Sequence, residues 1–337
     1  MAGLLEINQV GKREDFADVI AMVDAKSMPF TTMVPKGSEP ANSIFDWQAD
    51  SYQAAVLGGI VDGVDVVSGD YVNEASGRAK LHGRIQKFRK AFMVSDIAQN
   101  VSDVAGIGKK GEMKRAISHA IVELKRNMEA TFCSDQDSQA DNGSTLPYLT
   151  RGMGKWITNT AQGDQPVPAA YLTPAASILT KTTATTIEDD INGVCQSIYQ
   201  QTGQQHDFDL ICGVNLKKQF SSFAAWVPAS VTTVPVRRYN QDSASGTILN
   251  SIDVWQGDFG SVNLILSLWL AADSAAGNIP NGRGYLMNWD LVELRYNRQP
   301  AYTELPNLGG GPRGYVDAIC GLAVYNPLGL GKIAPTA

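Results

Sequence analysis

The segment KKGEMKRAISHAIVELKRNMEATFC, residues 109–133, carries the clearest helical period in the chain. Met113, Ala116, Ile117, Ala120, Ile121, Leu124 and Met128 recur at three- and four-residue steps and form one apolar stripe. Lys114, Arg115, Glu123, Lys125 and Arg126 cover the rest of its surface. At about 1.5 Å per residue such a helix is a long strut. Its end overlaps an acidic stretch, EATFCSDQDSQADNG (129–143), which holds Glu129, Asp135, Asp137 and Asp141. Tested as a calcium loop beginning at Asp135, this stretch fails. Ala140 stands where the turn needs glycine, and Leu146 where the ion needs a bidentate glutamate. The expectation is therefore a last helical turn, with Met128 and Phe132 on its buried side, followed by a solvated polar turn.

Upstream, SIFDWQADSYQ (43–53) alternates, with Phe45, Trp47 and Ala49 on one face and Asp46, Gln48 and Asp50 on the other. RAKLHGRIQKFRK (78–90) alternates too, setting Arg78, Lys80, His82 and Arg84 against Ala79, Leu81 and Ile85. Antiparallel pairing would bring an acidic face onto a basic one, each cross-strand pair contributing about 0.2–1 kcal/mol. The pattern predicts a long two-stranded hairpin. Its connection, 54–77, contains Gly58, Gly59, Gly63, Gly69 and Gly77 and no helical period. Loops of that length are usually functional, and an isolated hairpin is marginal in water, so the element should project and be ordered by a partner. With Lys87, Arg89 and Lys90, the basic face of the second strand is placed to meet an acidic neighbour.

Before the hairpin, residues 13–25 read as a short amphipathic helix with Phe16, Val19, Ile20 and Val23 on one face. SMPFTTMVPKG (27–37) reads as an extended arm, because Pro29 and Pro35 oppose helix; it should expose Phe30, Met33 and Val34. The second half alternates short helices with strands. Thr186 and Asp189 suggest a capping box for a helix reaching Gln201, and DFDLICG (207–213) a strand. A short helix should span 215–226, and SVNLILSLWL (261–270) should present Val262, Leu264, Leu266 and Leu268 on one face. In YVDAICGLAVYN, Val316, Ala318, Cys320, Leu322 and Val324 share a face.

The chain has 337 residues, 44% hydrophobic and 18% charged, enough for a large core and too many for a single simple one. Two subdomains are expected. The net charge of −6 comes with dispersed Lys and Arg, which argues against a dedicated nucleic-acid footprint. Cys133, Cys195, Cys212 and Cys320 lie far apart, as suits a reducing compartment rather than a zinc or disulfide framework. The first residues lack the basic start and apolar run of a signal peptide, and Val262 to Ala272 is too short to span a bilayer; the expectation is a soluble intracellular protein with no membrane partner. GIGKKG (106–111) matches GxGxxG but lacks a strong preceding strand and the acidic residue that should follow. His82, His119 and His206 are isolated, and no nucleophile elbow occurs. No catalytic, cofactor-binding or metal-ligating residue is assigned, and no cofactor is expected.

Arm, projecting hairpin, strut helix and a mixed second half, in that order, resemble the major capsid protein of tailed bacteriophages, the fold named after phage Hong Kong 97. The stretches that carry the resemblance are GKREDFADVIAMVDAKSMPFTTMVPKG, FDWQAD, FRKAFMVSDIAQNVSDVAG, AIVELKRNMEATFCSDQDSQ and VELRYNRQPAYTELPNLG. The resemblance implies an α+β Hong Kong 97-like capsid fold. Its parts would be an N-terminal arm (1–42), an extended β-hairpin loop (43–95), the spine helix with the first part of a peripheral domain (96–164), an axial domain (165–280), and peripheral-domain strands with the C-terminus (281–337). It implies self-assembly into hexamers and pentamers of an icosahedral shell around double-stranded DNA, which is touched only weakly and without sequence preference. Portal, scaffolding and decoration proteins are further partners it allows, with the virion capsid as location and the host cytoplasm as the place of assembly. Phe30, Asp46, Trp47, Asp50, Arg78, Lys80, Arg84, Lys87, Arg89 and Lys90 are the expected inter-subunit contacts. The alternatives are an α/β enzyme built on GIGKKG, or another homo-oligomeric phage structural protein.

Overall fold

The computed structural model describes residues 27–73, 77–102, 107–223, 240–242, 247–249, 252–272 and 282–335. The helix expected at 13–25 lies outside them. Helix α1 (Pro29–Met33) and strand β1 (Ile44–Ala49) come first, then a long irregular stretch. β2 (Ala79–Arg84), β3 (Gln86–Met93), α2 (Asp96–Asn100) and the 21-residue α3 (Glu112–Phe132) follow. Next come α4 (Met153–Trp156), β4 (Ile178–Leu179), α5 (Glu188–Thr202), β5 (Phe208–Cys212) and α6 (Val214–Phe223). The remainder is β6 (Asn240–Asp242), β7 (Thr247–Leu249), β8 (Val254–Gly257), β9 (Gly260–Leu266), β10 (Gly284–Met287), β11 (Val292–Leu305), β12 (Arg313–Val324) and β13 (Gly331–Ile333).

The strut helix is present, three residues shorter at its start than its period suggests. Gly108 (φ +73°) and Lys110 (φ +65°) take left-handed backbone in the preceding turn, which a right-handed helix cannot include. Along its stripe, burial deepens toward the C-terminus: Met113 and Ala116 are half-buried, whereas Leu124, Met128 and Phe132 are closed off from solvent.

Two compact units emerge. In the smaller, Arg89–Leu124 with Ala301–Asp317, the Val94 N–H donates to the Pro312 carbonyl and the Phe92 ring stacks on Tyr302. Gln99 donates to the Lys110 carbonyl and accepts from the Met113 N–H, tying α2 to the start of α3. In the larger, a six-stranded mixed sheet runs β4-β13-β10-β5-β9-β8. Ile191, Val194 and Ile198 of α5 and Phe220 of α6 close over Phe208, Leu210, Val262 and Leu286 to make its core. Strand β9 ends at Leu266, so Leu266 and Leu268 are half exposed rather than continuing the buried face. The α5 cap sits one residue later than the Thr186–Asp189 reading. The Asp190 carboxylate accepts the Ile187 N–H at 3.0 Å, while the Thr186 hydroxyl donates back to the Thr182 carbonyl. Gly203 (φ +68°) ends the helix in the left-handed conformation glycine favours.

A separate three-stranded sheet has the order β11-β12-β3, and the predicted face of β12 is fully buried from Val316 to Val324. Membership of β3 in that sheet corrects the hairpin. Only Ile44–Ala49 pairs with Ala79–Arg84, and residues 86–93 leave for a different sheet. Glycine makes the crossing possible, because a Cβ on Gly321 would strike the Arg84 carbonyl. The two backbones meet where no side chain intervenes.

Candidate assembly surface

The acidic stretch after the strut helix is not solvated; it anchors the larger unit. Glu129 is fully buried, and its carboxylate accepts the Phe30 N–H at 2.8 Å, the Thr31 N–H at 2.7 Å and the Thr31 hydroxyl at 2.6 Å. Burial pushes its carboxyl up from the ordinary value, outweighing those three donors. Asp135 takes Lys332 at 2.9 Å and also Arg283, both almost closed off from solvent. Burial works to raise its carboxyl, but the two cations prevail and hold it low. Asp137 accepts from Arg151 Nε at 2.9 Å. Only Asp141 stays in an exposed turn, where it accepts the Gly143 N–H. A helix end rich in acids reads as solvated because their partners, Arg283 and Lys332, are 148 and 197 residues away in sequence.

This clamp also corrects the arm. Residues 29–33 form a short helix, and Phe30 and Val34 are buried instead of exposed, with Met33 alone at the surface. Phe30 packs 6.2 Å from Phe132 and 5.9 Å from Trp289, ring centroid to centroid. Beyond it, Leu294 donates to the Pro35 carbonyl and accepts the Gly37 N–H, so the segment runs alongside β11. Proline at the first helical position is compatible with helix, which is why Pro29 starts one rather than preventing it.

On the β1–β2 pair, acid and base do meet, within one chain. Asp46 faces His82 in register and holds Lys80 at 2.5 Å and His82 at 2.6 Å. Burial works to raise the Asp46 carboxyl, and the Lys80 and His82 contacts outweigh it and keep it low. Asp50 pairs with Arg78 at 3.0 Å. Trp47 faces inward, with Phe45, Trp156 and Tyr325 within 6.0 Å of its ring. Arg84 is 5% exposed, pairs with Asp164 at 2.5 Å and lies over Tyr148. Lys87 and Arg89 are exposed on β3; Arg89 lies over Tyr315, and Lys90 pairs with Glu123 at 3.0 Å. Phe30, Trp47 and Arg84 are therefore engaged in their own chain, because each finds a partner that sequence spacing conceals.

Among the described residues, the exposed large hydrophobic side chains concentrate in the connection between β1 and β2. From Tyr52 to Val72 it has one 3-10 turn, Ser68–Asp70, and otherwise no regular structure. Tyr52, Leu57 and Val56 are more than nine-tenths exposed, Ile60, Val61 and Tyr71 about three-quarters or more. Between Asp50 and Arg78 the chain has Asp62, Asp65, Asp70 and Glu74 and neither Lys nor Arg. The loop is therefore long, acidic and rich in exposed apolar side chains. The sequence signal for it is a group of valines with Leu57 and Ile60 that follows neither a helical nor an alternating period.

The four cysteines are buried free thiols, and burial pushes Cys195 and Cys212 up to about 12, far from the thiolate needed for nucleophilic chemistry. No group of three His, Cys, Asp or Glu side chains suited to a metal ion occurs among the described residues.

The fold is that of phage shell proteins. The cyanophage Pam1 capsid asymmetric unit superposes with a TM-score of 0.59 at 11% identity, over 99% of this chain and 98% of that one. The capsid of cyanophage P-SCSP1u gives 0.58 at 11% identity, over 99% and 97%. The capsid of Myoviridae phage XM1 gives 0.54 at 12% identity, over 96% of each. No curated protein sequence matches the chain. The chain belongs to the SU10 major capsid protein family, which it matches over residues 5–337, and it is a shell-forming protein of a phage.

Proposed function

We propose that the chain builds a closed icosahedral shell of hexamers and pentamers around double-stranded DNA, and that residues 50–77 are its principal assembly device. The observation that carries this reading is the exposed apolar loop: side chains such as Leu57 and Ile60 gain nothing until a second copy covers them. Obligate interfaces of roughly 2,000–5,000 Å² are reached by such projections more readily than by flat faces. In Hong Kong 97 terms, residues 1–42 would be the arm, 43–95 the extended loop and α3 the spine. The peripheral domain would draw on 96–164 and 281–337, and the axial domain on 165–280. The exposed charges Asp46, Asp50, Arg78, Lys80, Lys87 and Arg89, with Lys90, remain the proposed polar rim between copies. A net charge of −6 suits an inner wall that touches DNA weakly, and assembly takes place in the host cytoplasm, with portal, scaffolding and decoration proteins as further partners.

The test is negative-stain microscopy of the purified chain beside a variant in which residues 53–72 are replaced by a short Gly-Ser linker. The intact chain should form shells or capsomer rings, and the variant should stay small while melting at the same temperature. Shells from the variant would overturn the role given to the loop.

A further inference from the structure

The turn Asp141–Asn142–Gly143 has chemistry that shell formation does not use. It is the tip of a loop closed by the Gln139–Leu149 bridge, whose backbones exchange hydrogen bonds at 3.2 and 3.1 Å, with the Asn142 N–H donating to the Leu146 carbonyl inside it. Residues 141–146 are all exposed. Three backbone N–H groups, from Ser144 (3.0 Å), Thr145 (2.9 Å) and Leu146 (2.8 Å), converge on the Asn142 Oδ1. Its Nδ2 donates to the Thr145 hydroxyl at 3.2 Å. The next residue along, Gly143, points its N–H at Asp141 Oδ1 at 2.5 Å. Gly143 has φ +72°, and the space where a Cβ would stand is open.

We propose that Asn142–Gly143 is a self-catalysed modification site that forms a succinimide in the folded protein. The parts of an acyl-transfer site are present around one side-chain amide. Asp141 is the general base for the Gly143 N–H, and the three converging N–H groups are an oxyanion hole for the Asn142 Oδ1. The Gly143 nitrogen gives its proton to Asp141 and bonds to the Asn142 Cγ. The tetrahedral adduct then places its negative charge on Oδ1, against the three donors. Collapse breaks the Cγ–Nδ2 bond, the proton held by Asp141 goes to the leaving nitrogen, and ammonia departs. No oxidant or reductant takes part. Water subsequently opens the five-membered ring at either carbonyl, leaving an aspartyl or an isoaspartyl residue. Either product adds a negative charge to the loop tip, and the isoaspartyl one also lengthens the backbone by one methylene.

The experiment ages the purified full-length chain at mildly alkaline pH and reads each Asn-Gly pair by peptide mass spectrometry and isoaspartyl methyltransferase labelling. Asn192–Gly193, held inside α5, is the internal reference in the same digest. Asn142 should convert faster than Asn192, and faster in the folded chain than in a synthetic peptide of residues 136–150. Asp141→Asn, which keeps an acceptor but removes the base, should slow conversion by about 10²-fold, the low end of general-base contributions. An unmodified Asn142, a folded rate no greater than the peptide's, or an unchanged rate in Asp141→Asn each overturns the proposal.

Discussion

The Glu129 carboxylate accepts the Phe30 backbone N–H at 2.8 Å, joining the last turn of the strut helix to a segment 99 residues earlier. Two further donors from Thr31 complete the clamp, and the Phe30 ring fills the space between Phe132 and Trp289. Glu129→Ala removes the acceptor for buried amides and should cost about 2–4 kcal/mol in urea denaturation, since each orphaned group costs about 1–3. Phe30→Ala should cost about 3–5 kcal/mol by emptying a closed aromatic site.

The same glutamate predicts a pH dependence. Its folded-state carboxyl is raised above the ordinary 4.5, so the folded chain holds that proton to higher pH than the unfolded chain does. Its contribution to stability is full below that ordinary value and declines as pH rises through the raised one. Glu129→Gln should flatten this decline. Denaturation midpoints measured across that window check it; a slope unchanged by the substitution would refute it.

Asp135 predicts the opposite sign. Lys332 and Arg283 hold its carboxyl below the ordinary 3.8, so its contribution is present at neutral pH and is lost as pH falls through the depressed value. Asp135→Asn leaves two buried cations without their counter-charge and should cost about 3 kcal/mol at neutral pH. The variant and the parent should converge in strong acid, which parallel pH titrations of stability would reveal.

Charge reversal should separate folding from assembly. Arg84→Glu places a carboxylate in a buried site facing Asp164 and should lower stability by about 2–3 kcal/mol, whatever it does to shells. Lys87→Glu with Arg89→Glu acts on exposed positions and should leave the melting temperature nearly unchanged, within about 0.5 kcal/mol, while reducing shell yield. Equal losses of stability in both variants would remove the distinction.

Leu57→Ser with Ile60→Ser tests the loop at single-residue scale. Both side chains are nearly fully exposed, so the isolated subunit should keep its stability within about 0.5 kcal/mol. Assembly, followed by light scattering, should fall sharply. A subunit destabilised by these changes would mean that the loop packs on its own chain.

Periodicity was enough for the strut helix, the buried face of β12 and the acid-against-base pairing of β1 with β2, because each depends on neighbours three, four or two residues apart or on one nearby turn. The end of the second strand was marked locally, but its continuation was not. After Ile85 the alternation changes phase, with Gln86 and Lys87 both polar and Phe88 on the parity of the basic residues. The sheet that takes residues 86–93 is set by β12, where Gly321, more than two hundred positions later, lets a distant backbone approach. The acids after the strut helix were misread for the same reason. Their charge was plain in the sequence, but a carboxylate looks solvated until Arg283, Lys332 and the Phe30 amide are brought to it. Local pattern determined which elements form, since hydrophobic period and turn chemistry act within a few residues. Tertiary structure alone decided which charges and aromatics are consumed inside the subunit, because their partners lie far away in sequence, and it left the apolar side chains of the 52–72 loop exposed, the surface proposed above to meet another copy.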